Sequence, residues 1–314
     1  MSTGIVILNY NGAEDTKKCL RSIVEYNTAP VKYIVVDNGS TKEDDVKVIS
    51  DFMSETFGES FTVLGDNDKD GSLSPASLIV SPTNDGYAEG NNKGLRFAFR
   101  DPEIEDVIIL NNDVTFASDI IPVLKKYQSS LDNVGILTPI LFNLDGSVEL
   151  PCARRTPTNW EVIVPFLMFK RNYFGILSRM SSSQKILHVN PDFALRDYFP
   201  IDIPSGAFMF MDKNILKDEG GLDKGTFLYY EENILCRKLS SAGYRNYCIP
   251  LVKAIHIGGN TTGKSPNLFL QKCNLESADY YLRSFAGMSH PQRLVWSIVK
   301  ALWKLKFRIK ERGR

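Results

Sequence analysis

A short polar triplet carries the clearest chemical signal in this sequence. Asn111, Asn112 and Asp113 directly follow four apolar, mostly β-branched residues at positions 107–110. Such a run predicts a buried strand, and the triplet then lies at its carboxyl end, where open α/β sheets bind their ligands. A carboxylate flanked by amides suits a hard cation such as Mg²⁺ or Mn²⁺ that also carries substrate phosphates. A simple turn is the alternative, since Asn and Asp are common turn residues.

The elements that would position this triplet follow from the sequence before it. Residues 4–10 and 33–37 each have the pattern of a buried strand, and an amphipathic helix is expected between them over Asp15–Tyr26. A strand, a helix and a strand in that order predict a parallel, right-handed crossover. A second helix over 42–57 is followed later by a stretch at 82–94 that is dense in Gly and Asn. Because glycine permits left-handed dihedrals and close backbone approach, we expect this stretch to be a loop that wraps a ligand.

Composition indicates an ordinary globular protein. The 314 residues are 43% hydrophobic and 24% charged, which fits one large or two modest domains. The five cysteines are scattered and form no C-x-x-C pair, so we expect a reduced, intracellular protein without a disulfide framework or a cysteine zinc site. The chain starts without a charged leader or an apolar signal core. The apolar run at 160–169 is shorter than the roughly 18 to 20 residues of a membrane span, so a core helix or an interfacial segment is expected there.

Charge is unevenly distributed although the net charge is zero. From His290 onward eight Lys or Arg residues accompany a single acid, Glu311, so this tail carries +7 and the rest of the chain −7. An acidic body with a basic tail indicates an anionic partner surface, which is a membrane or, less favoured, a nucleic acid.

Residues 291–312 are expected to form a helix with two apolar sides. One side is an aliphatic stripe of Leu294, Ile298, Leu302, Leu305 and Ile309. The opposite side carries aromatic residues interleaved with lysines, namely Trp296, Lys300, Trp303, Lys304 and Phe307. This pattern fits a helix that lies on anionic lipid. It equally fits a helix docked on the body or on another copy of the chain, so both alternatives stay open.

Seven short motifs occur in an order that one enzyme family shares. They are V-I-L-N-Y-N-G at 6–12, V-V-D-N-G-S at 35–40, N-D-G-Y-A-E-G-N-N-K-G at 84–94, L-N-N-D at 110–113, P-S-G-A at 204–207, Y-E-E at 230–232 and H-I-G-G at 256–259. Each motif alone is weakly specific. Together, over about 260 residues, they resemble glycosyltransferase family 2, and more narrowly its bacterial rhamnosyltransferase-like branch.

This resemblance implies a GT-A fold, which is an α/β architecture with a Rossmann-like, mostly parallel nucleotide-binding sheet and helices on both faces. We expect that domain to cover residues 1–262, with a nucleotide-sugar half up to about 115 and an acceptor half over about 116–262. A helical, basic C-terminal extension then covers residues 263–314.

The resemblance also implies a set of donor-binding residues. Asp37 ends its strand beside the sheet crevice, so its carboxylate can accept hydrogen bonds from a ribose hydroxyl or a pyrimidine N–H. A helix cap or a turn is the alternative role for this residue. The full nucleotide-sugar-binding set is Asn9, Asn11, Asp37, Asn38, Tyr87, Gly90, Asn91 and Asn112.

A metal site follows from the same resemblance. Asp113 corresponds to the metal-binding acid of the family, whereas Asn111 and Asn112 stand where other branches carry a further carboxylate. One carboxylate with pyrophosphate oxygens makes a modest site, so a second protein ligand is expected. His256 matches a position that supplies this ligand in some relatives, and a structural role is its alternative. The implied cofactor is Mg²⁺ or Mn²⁺ bound by Asp113 and His256.

The catalytic base is assigned from the motif that contains two glutamates. Inversion at the anomeric carbon requires a general base for the acceptor hydroxyl and a cation that neutralises the departing nucleoside diphosphate. The family's base lies in an E-D-x-D-L motif, for which this chain has E-E-N-I-L at 231–235. Glu232 replaces the usual Asp, and Ile234 removes the second one. We expect Glu232 to be the base, with Glu231 as the alternative, although an acidic first helical turn would also account for one of the two.

These features predict an inverting, metal-dependent glycosyltransferase. It would move a hexose such as rhamnose from a dTDP- or UDP-sugar to a glycan or lipid-linked glycan in bacterial surface polysaccharide synthesis. We expect a cytoplasmic protein that is peripheral on the cytoplasmic face of the membrane, and homo-oligomer formation stays open. A catalytically silent glycan-binding or assembly subunit is the first alternative. A sugar nucleotidyltransferase is the second, but it would carry a Gly-rich phosphate loop with Lys or Arg where this chain has N-Y-N-G at 9–12.

Overall fold

A central sheet of ten strands organises the described part of the protein. The computed structural model describes residues 1–66, 68, 74–149, 152–167, 195–258 and 268–312. The strands are β1 (Ser2–Asn9), β2 (Val31–Asn38), β3 (Phe61–Gly65), β4 (Ala76–Ser81), β5 (Ile104–Asn111), β6 (Val114–Phe116), β7 (Val134–Phe142), β8 (Ala153–Arg154), β9 (Phe199–Ile201), β10 (Ile203–Pro204), β11 (Phe208–Asp212) and β12 (Arg245–His256). The helices are α1 (Ala13–Tyr26), α2 (Asp45–Phe57), α3 (Gly86–Arg100), α4 (Ile121–Ser130), α5 (Asn159–Leu167), α6 (Lys213–Asp218), α7 (Glu231–Ser241), α8 (Leu268–Ser284) and α9 (His290–Arg312).

The central sheet is mostly parallel, as predicted. Its order is β3-β4-β2-β1-β5-β11-β7-β12-β6, and β9 also pairs with β12, whereas β8 and β10 pair with each other. All neighbours from β3 to β5 are parallel, while β11 runs antiparallel to both β5 and β7. The register pairs Asn9 with Asp37 and Leu8 with Asn111. The carboxyl ends of β1, β2 and β5 therefore meet at one edge of the sheet.

Alternate side chains of the strands enter two different cores. Ile5, Ile7 and Val35 belong to a cluster that includes residues of α1, α2 and α4. Val6 and Val36 belong to a second cluster with residues of α3, α6 and α7. This alternation follows the two-residue period of a strand. Both faces are apolar because helices cover both, which confirms the predicted α/β architecture.

The glycine-rich stretch at 82–94 differs from its prediction. It was expected to be a loop, but the chain is helical from Gly86 onward. A Cβ atom at Gly90 would lie only 2.7 Å from Leu8 Cδ1 and 2.8 Å from Asn38 Nδ2. Glycine is needed here because α3 lies directly on the strands, so the residue serves close helix packing.

A third core joins α5, α8 and α9. Phe166 of α5 packs edge-on against Trp296 and Trp303 of α9, with ring centroids 5.2 and 6.1 Å apart. The apolar run at 160–169 was expected to be a core helix or an interfacial segment. It forms a core helix over Asn159–Leu167, and residues 168 and 169 of the run lie outside the described residues.

The basic tail is helical over His290–Arg312, as expected. The expected domain boundary near residue 262 lies outside the described residues, as does Gly259 of the H-I-G-G motif. None of the helices in the described part of the chain is both long enough and apolar enough to cross a bilayer.

Candidate active site

A buried polar network closes the carboxyl ends of β1 and β2. The amide nitrogen of Asn9, which is fully buried, lies 2.8 Å from Asp37 Oδ1 and 2.9 Å from Asp45 Oδ2. The amide oxygen of Asn9 accepts hydrogen bonds from Thr16 Oγ1 and from the Gly12 N–H. Both amide atoms of Asn9 are thus occupied within the protein, and Asp37 is itself only 1% exposed. These two predicted donor-binding residues are therefore buried beneath the surface of the sheet edge.

Asn112 joins β5 to this network. Its amide donates to Asn9 Oδ1, to the Gly12 carbonyl and to Thr16 Oγ1 at 3.0 to 3.2 Å. The start of α1 is therefore fixed against the end of β5, immediately before Asp113.

Two further predicted residues hold the loops beside the edge. Asn11, which has a φ of +57°, accepts from the N–H groups of Thr41 and Lys42 at 2.8 Å. This contact fixes the loop between β2 and α2. Asn38 donates to Asn84 Oδ1 at 2.9 Å, which fixes the loop before α3. Both side chains therefore form hydrogen bonds to groups of neighbouring loops in this structure.

Tyr87 lies in the first turn of α3 and is held by a hydrogen bond to the segment before β11. Its Oη donates to the Gly206 carbonyl at 2.5 Å. Burial, followed by the charges of Glu231, Glu232 and Asp113, raises the pKa of Tyr87 well above its ordinary value. A neutral phenol therefore lies in the same region as Glu232, since both side chains border Gly206.

Gly90 and Asn91 follow Tyr87 by three and four residues along α3. Asn91 is fully buried and donates to the Tyr87 carbonyl at 2.9 Å, but its Oδ1 has no hydrogen-bond partner among the described residues. Both residues stabilise the position of α3 and hence of Tyr87.

Pairing between β6 and β12 brings Asp113 and His256 together. Nε2 of His256 lies 3.2 Å from Asp113 Oδ1, and Nδ1 of the same ring lies 2.9 Å from Glu149 Oε2. Burial alone would lower the pKa of His256, but its interactions with the Asp113 and Glu149 carboxylates outweigh burial and raise the pKa to about 10. The imidazole is thus held between two acids.

These residues fit a divalent cation. Asp113 Oδ1 is buried, and its nearest polar neighbour in the described structure is His256 Nε2 at 3.2 Å. Glu149 holds the opposite ring nitrogen, an arrangement that orients metal-binding histidines. Within the described ranges no group of three or more His, Cys, Asp or Glu side chains converges as a metal site.

Glu231 and Glu232, at the start of α7, have different environments. Glu231 is 2% exposed, and burial, followed by the charge of Glu232, raises its pKa to about 8. Glu232 is more accessible, with 17% of its side chain exposed, and it accepts from Arg154 Nη2 at 2.5 Å. Of the two glutamates, Glu232 is therefore the more exposed.

Several buried polar atoms without a hydrogen-bond partner belong to this group of residues. In the described structure they include Asp113 Oδ1, Glu231 Oε1, Arg154 Nε and Thr226 Oγ1. Arg154 contacts Glu232, and Thr226 interacts with Glu231. Because nearly all buried polar atoms are paired in native proteins, these atoms are candidates for contact with a bound ligand.

Three residues of the site were not predicted. Arg154 holds Glu232, Glu149 holds His256, and Asp45 accepts from the Ala13 N–H at the start of α1. The partners are 32 to 107 residues apart in the chain, so no local pattern reveals them. The paired arginines at 154–155 were a visible feature, but their sequence context indicated no role.

The fold and the site together define a class of protein. A mostly parallel α/β sheet with loops and acids at its carboxyl edge is typical of enzymes that bind nucleotides. GalNAc-T7, solved with UDP, GalNAc and Mn²⁺, has a similar structure, with a TM-score of 0.57 and 13% sequence identity over 90% of this chain and 50% of that one. This similarity supports the GT-A fold.

The family follows from the sequence comparison. The model of glycosyltransferase family 2 matches residues 4–199, so the chain belongs to this family.

Relatives of known description are distant in sequence. The low-salt glycan biosynthesis hexosyltransferase Agl10 of Haloferax volcanii is 24% identical over 252 residues, which cover 80% of this chain and 66% of that protein. The N-acetylglucosaminyl-diphospho-decaprenol L-rhamnosyltransferase of Mycobacterium tuberculosis is 22% identical over 277 residues, which cover 83% and 78%. The chain thus spans just under two thirds of the first relative and half of GalNAc-T7. The similarity to rhamnosyltransferases that the motifs predicted is confirmed.

Proposed function

We propose that this protein is an inverting glycosyltransferase that moves a hexose, with rhamnose as the first candidate, from a nucleoside diphosphate sugar to a glycan or lipid-linked glycan of a bacterial surface polysaccharide. The observation that carries this proposal is the position of Asp113 at the carboxyl end of β5, where its buried Oδ1 lies 3.2 Å from His256 Nε2. Membership of family 2 and the hexosyl- and rhamnosyltransferase relatives support it.

The donor would occupy the carboxyl edge of β1, β2 and β5. In this proposal the nucleoside of a dTDP- or UDP-sugar lies over Asp37 and Asn38, and Tyr87 borders the sugar. Asn9 and Asn112 act beneath the donor, because their paired amides hold the strand ends in place. The residues that act through loop and helix packing are Asn11, Gly90 and Asn91. The donor half would end near residue 115, and the acceptor half would contain Glu232.

Asp113 and His256 would hold Mg²⁺ or Mn²⁺, and the Mn²⁺ in the GalNAc-T7 structure supports the choice of a divalent cation. When bound, the cation neutralises the negative charge of the departing nucleoside diphosphate. Glu149 accepts a hydrogen bond from Nδ1 of His256, which leaves Nε2 as the nitrogen that faces Asp113.

Glu232 is our candidate for the general base that removes the proton of the acceptor hydroxyl. Arg154 occupies its Oε1, and no hydrogen bond engages its Oε2 among the described residues, so Oε2 is the oxygen that we assign to the acceptor. A Cβ at Gly206 would lie 3.8 Å from this Oε2 and 3.4 Å from Tyr87 Oη. Gly206 therefore lies between the base and the phenol, and a methyl group there would contact both.

Glu231 has a separate role in this proposal. With its pKa raised to about 8 by burial and by the charge of Glu232, this carboxyl group is mostly protonated at neutral pH. It can therefore donate a hydrogen bond to a substrate hydroxyl while Glu232 accepts a proton. Two adjacent acids would thus perform two different tasks because their environments differ.

A catalytically silent subunit is the second candidate. One observation favours it, since Ile234 replaces the second acid of the family motif and is fully buried in the apolar cluster of α5, α8 and α9. Such a protein would bind the donor without turnover.

Product analysis with dTDP-rhamnose and UDP-hexoses, in the presence of Mn²⁺ and glycan or lipid-linked acceptors, tests these functions. We expect release of nucleoside diphosphate and a kcat that falls roughly 10²- to 10⁴-fold in Glu232→Gln, because the base is lost. Stabilisation by the donor should persist in this variant. Donor binding by the wild type without any product would support the silent subunit, and release of pyrophosphate would identify a nucleotidyltransferase.

A further inference from the structure

Helix α9 has two apolar faces with different environments. The aromatic side chains of Trp296, Trp303 and Phe307 are at most 5% exposed, because they pack against the body. Five aliphatic side chains, here called the outer stripe, are 44 to 66% exposed: Leu294, Ile298, Leu302, Leu305 and Ile309. Packing on the body explains the aromatic face and leaves the outer stripe in solvent.

The rotation of α9 about its own axis is fixed by polar contacts on the inner face. Trp303 Nε1 donates to the Phe166 carbonyl at 2.8 Å, and Trp296 Nε1 donates to Asp279 Oδ1 at 2.8 Å. Lys300 Nζ binds the second oxygen of Asp279 at 2.9 Å. The outer stripe cannot turn inward without breaking these bonds, so its exposure to solvent is fixed by the fold. Contiguous exposed apolar side chains of this kind mark an interaction surface.

Cations lie on both sides of the outer stripe. At about 100° per residue, Lys304 and Arg308 fall on one side of it, and Lys306 and Lys310 on the other. Lys304, Arg308 and Lys310 are exposed, and no salt bridge engages them among the described residues. The partner of this surface must therefore accept aliphatic side chains at its centre and positive charge at its margins.

We propose that the outer stripe lies in the interfacial region of an anionic lipid bilayer, with α9 parallel to the membrane surface. The aliphatic side chains would enter the boundary between headgroups and acyl chains, and the flanking Lys and Arg would contact acidic headgroups. The charge distribution supports this partner, since the tail from His290 carries +7 and the remainder −7. An anionic surface attracts the α9 face and repels the rest of the body, so it also orients the molecule.

Other partners explain the outer stripe less well. Nucleic acid would use the cations but would leave the aliphatic side chains in water. A second copy of the chain, docked stripe to stripe, would bring the same Lys and Arg residues of two helices together. The proposal deepens the proposed function, because a lipid-linked acceptor lies at a membrane, and it rests on that function for its biological meaning. Its test requires neither donor nor acceptor.

Co-sedimentation of the full chain with vesicles tests the proposal. We expect binding to vesicles of phosphatidylcholine with phosphatidylglycerol, weaker binding to phosphatidylcholine alone, and a decrease with added salt. The double variant Ile298→Asp with Leu305→Asp should lower partitioning by at least ~tenfold. Leu251→Asp on β12 is the matched control, because Leu251 is 53% exposed while each of the two stripe residues is 54% exposed. This control should bind as the wild type does.

A charge variant separates the two contributions. Lys304→Glu with Arg308→Glu should lower binding to anionic vesicles and leave binding to phosphatidylcholine alone unchanged. Wild-type protein that fails to bind anionic vesicles, or full binding by the double aspartate variant, would overturn the proposal. A wild-type dimer that the aspartate variant converts to a monomer, without vesicle binding, would assign the outer stripe to a second copy.

The fold of each variant and the proposed function are checked separately. An unchanged melting temperature shows that the variant is folded, since the substituted side chains are exposed. Vesicle binding without product formation would leave the membrane proposal intact and count against the transferase, and the reverse result would count against the membrane proposal alone.

Discussion

The carboxyl edge of the central sheet carries two groups of polar side chains that differ in how their hydrogen bonds are completed. Around Asn9, the amide atoms and the Asp37 carboxylate have several partners within the protein. Around Tyr87, Asp113 and Glu231 keep buried oxygens without a hydrogen-bond partner in the described structure. The first group is complete in the folded chain, whereas the second keeps oxygen atoms with which a ligand could pair.

This difference separates Asn9, which stabilises the edge, from Asp113 and Glu231, which we propose to meet the substrates. A rigid first group keeps the second in position, so little reorganisation is needed when substrates bind. Changes in the first group should mainly lower the free energy of unfolding. Changes in the second should mainly lower ligand binding or turnover.

Asn9→Ala is expected to have the largest effect. It removes the amide that donates to Asp37 and Asp45, so two buried carboxylates lose a donor, and the free energy of unfolding should fall by about 3 kcal/mol. Urea unfolding measures this change. Asn143→Ala is the control, because that amide bonds to Ser147 at an exposed site and its loss should cost less than about 1 kcal/mol. Equal losses in both variants would contradict the distinction between the two groups.

Arg154→Met should affect turnover more than stability. Without the guanidinium the Glu232 carboxylate loses its orientation, so kcat should fall by roughly 10²-fold while the KM for the donor stays nearly constant. Arg155→Met is a matched control, since its neighbouring guanidinium pairs with Glu161 and not with the base. Steady-state kinetics measure both variants. An equal loss of activity in Arg154→Met and Arg155→Met would refute the positioning role of Arg154.

Glu149→Gln should weaken metal binding by about tenfold, because Glu149 orients His256 and raises the basicity of its ring. Titration of Mn²⁺ into the protein with a nucleoside diphosphate, followed by calorimetry, gives the affinity. Asp145→Asn is the control, since Asp145 lies with Glu149 in the segment between β7 and β8 but accepts a hydrogen bond from Ser147 and does not contact His256. An affinity unchanged by Glu149→Gln would show that the contact is structural only.

Glu231→Gln is expected to change chiefly the pH dependence of stability. The folded-state pKa of about 8 lies above the ordinary value of 4.5, so the folded state binds more protons between these limits and wild-type stability falls as pH rises through them. The glutamine variant lacks this proton uptake and should show a flatter dependence from about pH 5 to pH 8. Thermal unfolding across that range measures the slope, with exposed Glu55→Gln as the unaffected control. An identical slope in all three proteins would rule out a raised pKa.

The fold could be predicted because its information is local. The apolar runs that become β1, β2 and β5 are followed directly by polar residues, so strands and their ends are both visible in the sequence. The order of the motifs then indicated the family, which the comparison confirmed. The loop predicted over 82–94 was wrong from Gly86 onward, since Gly and Asn favour loops in general while Gly90 here permits contact of α3 with Leu8.

Long-range contacts and the orientation of faces could not be predicted in this way. Glu149 and His256 are 107 residues apart, and Arg154 and Glu232 are 78 apart, so their pairing exists only in the folded chain. The sequence of α9 showed an aliphatic and an aromatic side, but either could have packed on the body. The indole N–H groups of Trp296 and Trp303 find acceptors inside, which favours the aromatic side as the buried one.

The central claim is that Asp113 binds a cation that holds the diphosphate of a nucleotide sugar. Melting temperatures with UDP, dTDP, GDP and CDP, with and without Mn²⁺, test it most directly, because a ligand that binds only the folded state must raise the melting temperature. We expect one diphosphate to stabilise the wild type only when Mn²⁺ is present, and Asp113→Ala to abolish the shift. Stabilisation that persists without Mn²⁺ and in Asp113→Ala, or no stabilisation by any of the four, would contradict the claim.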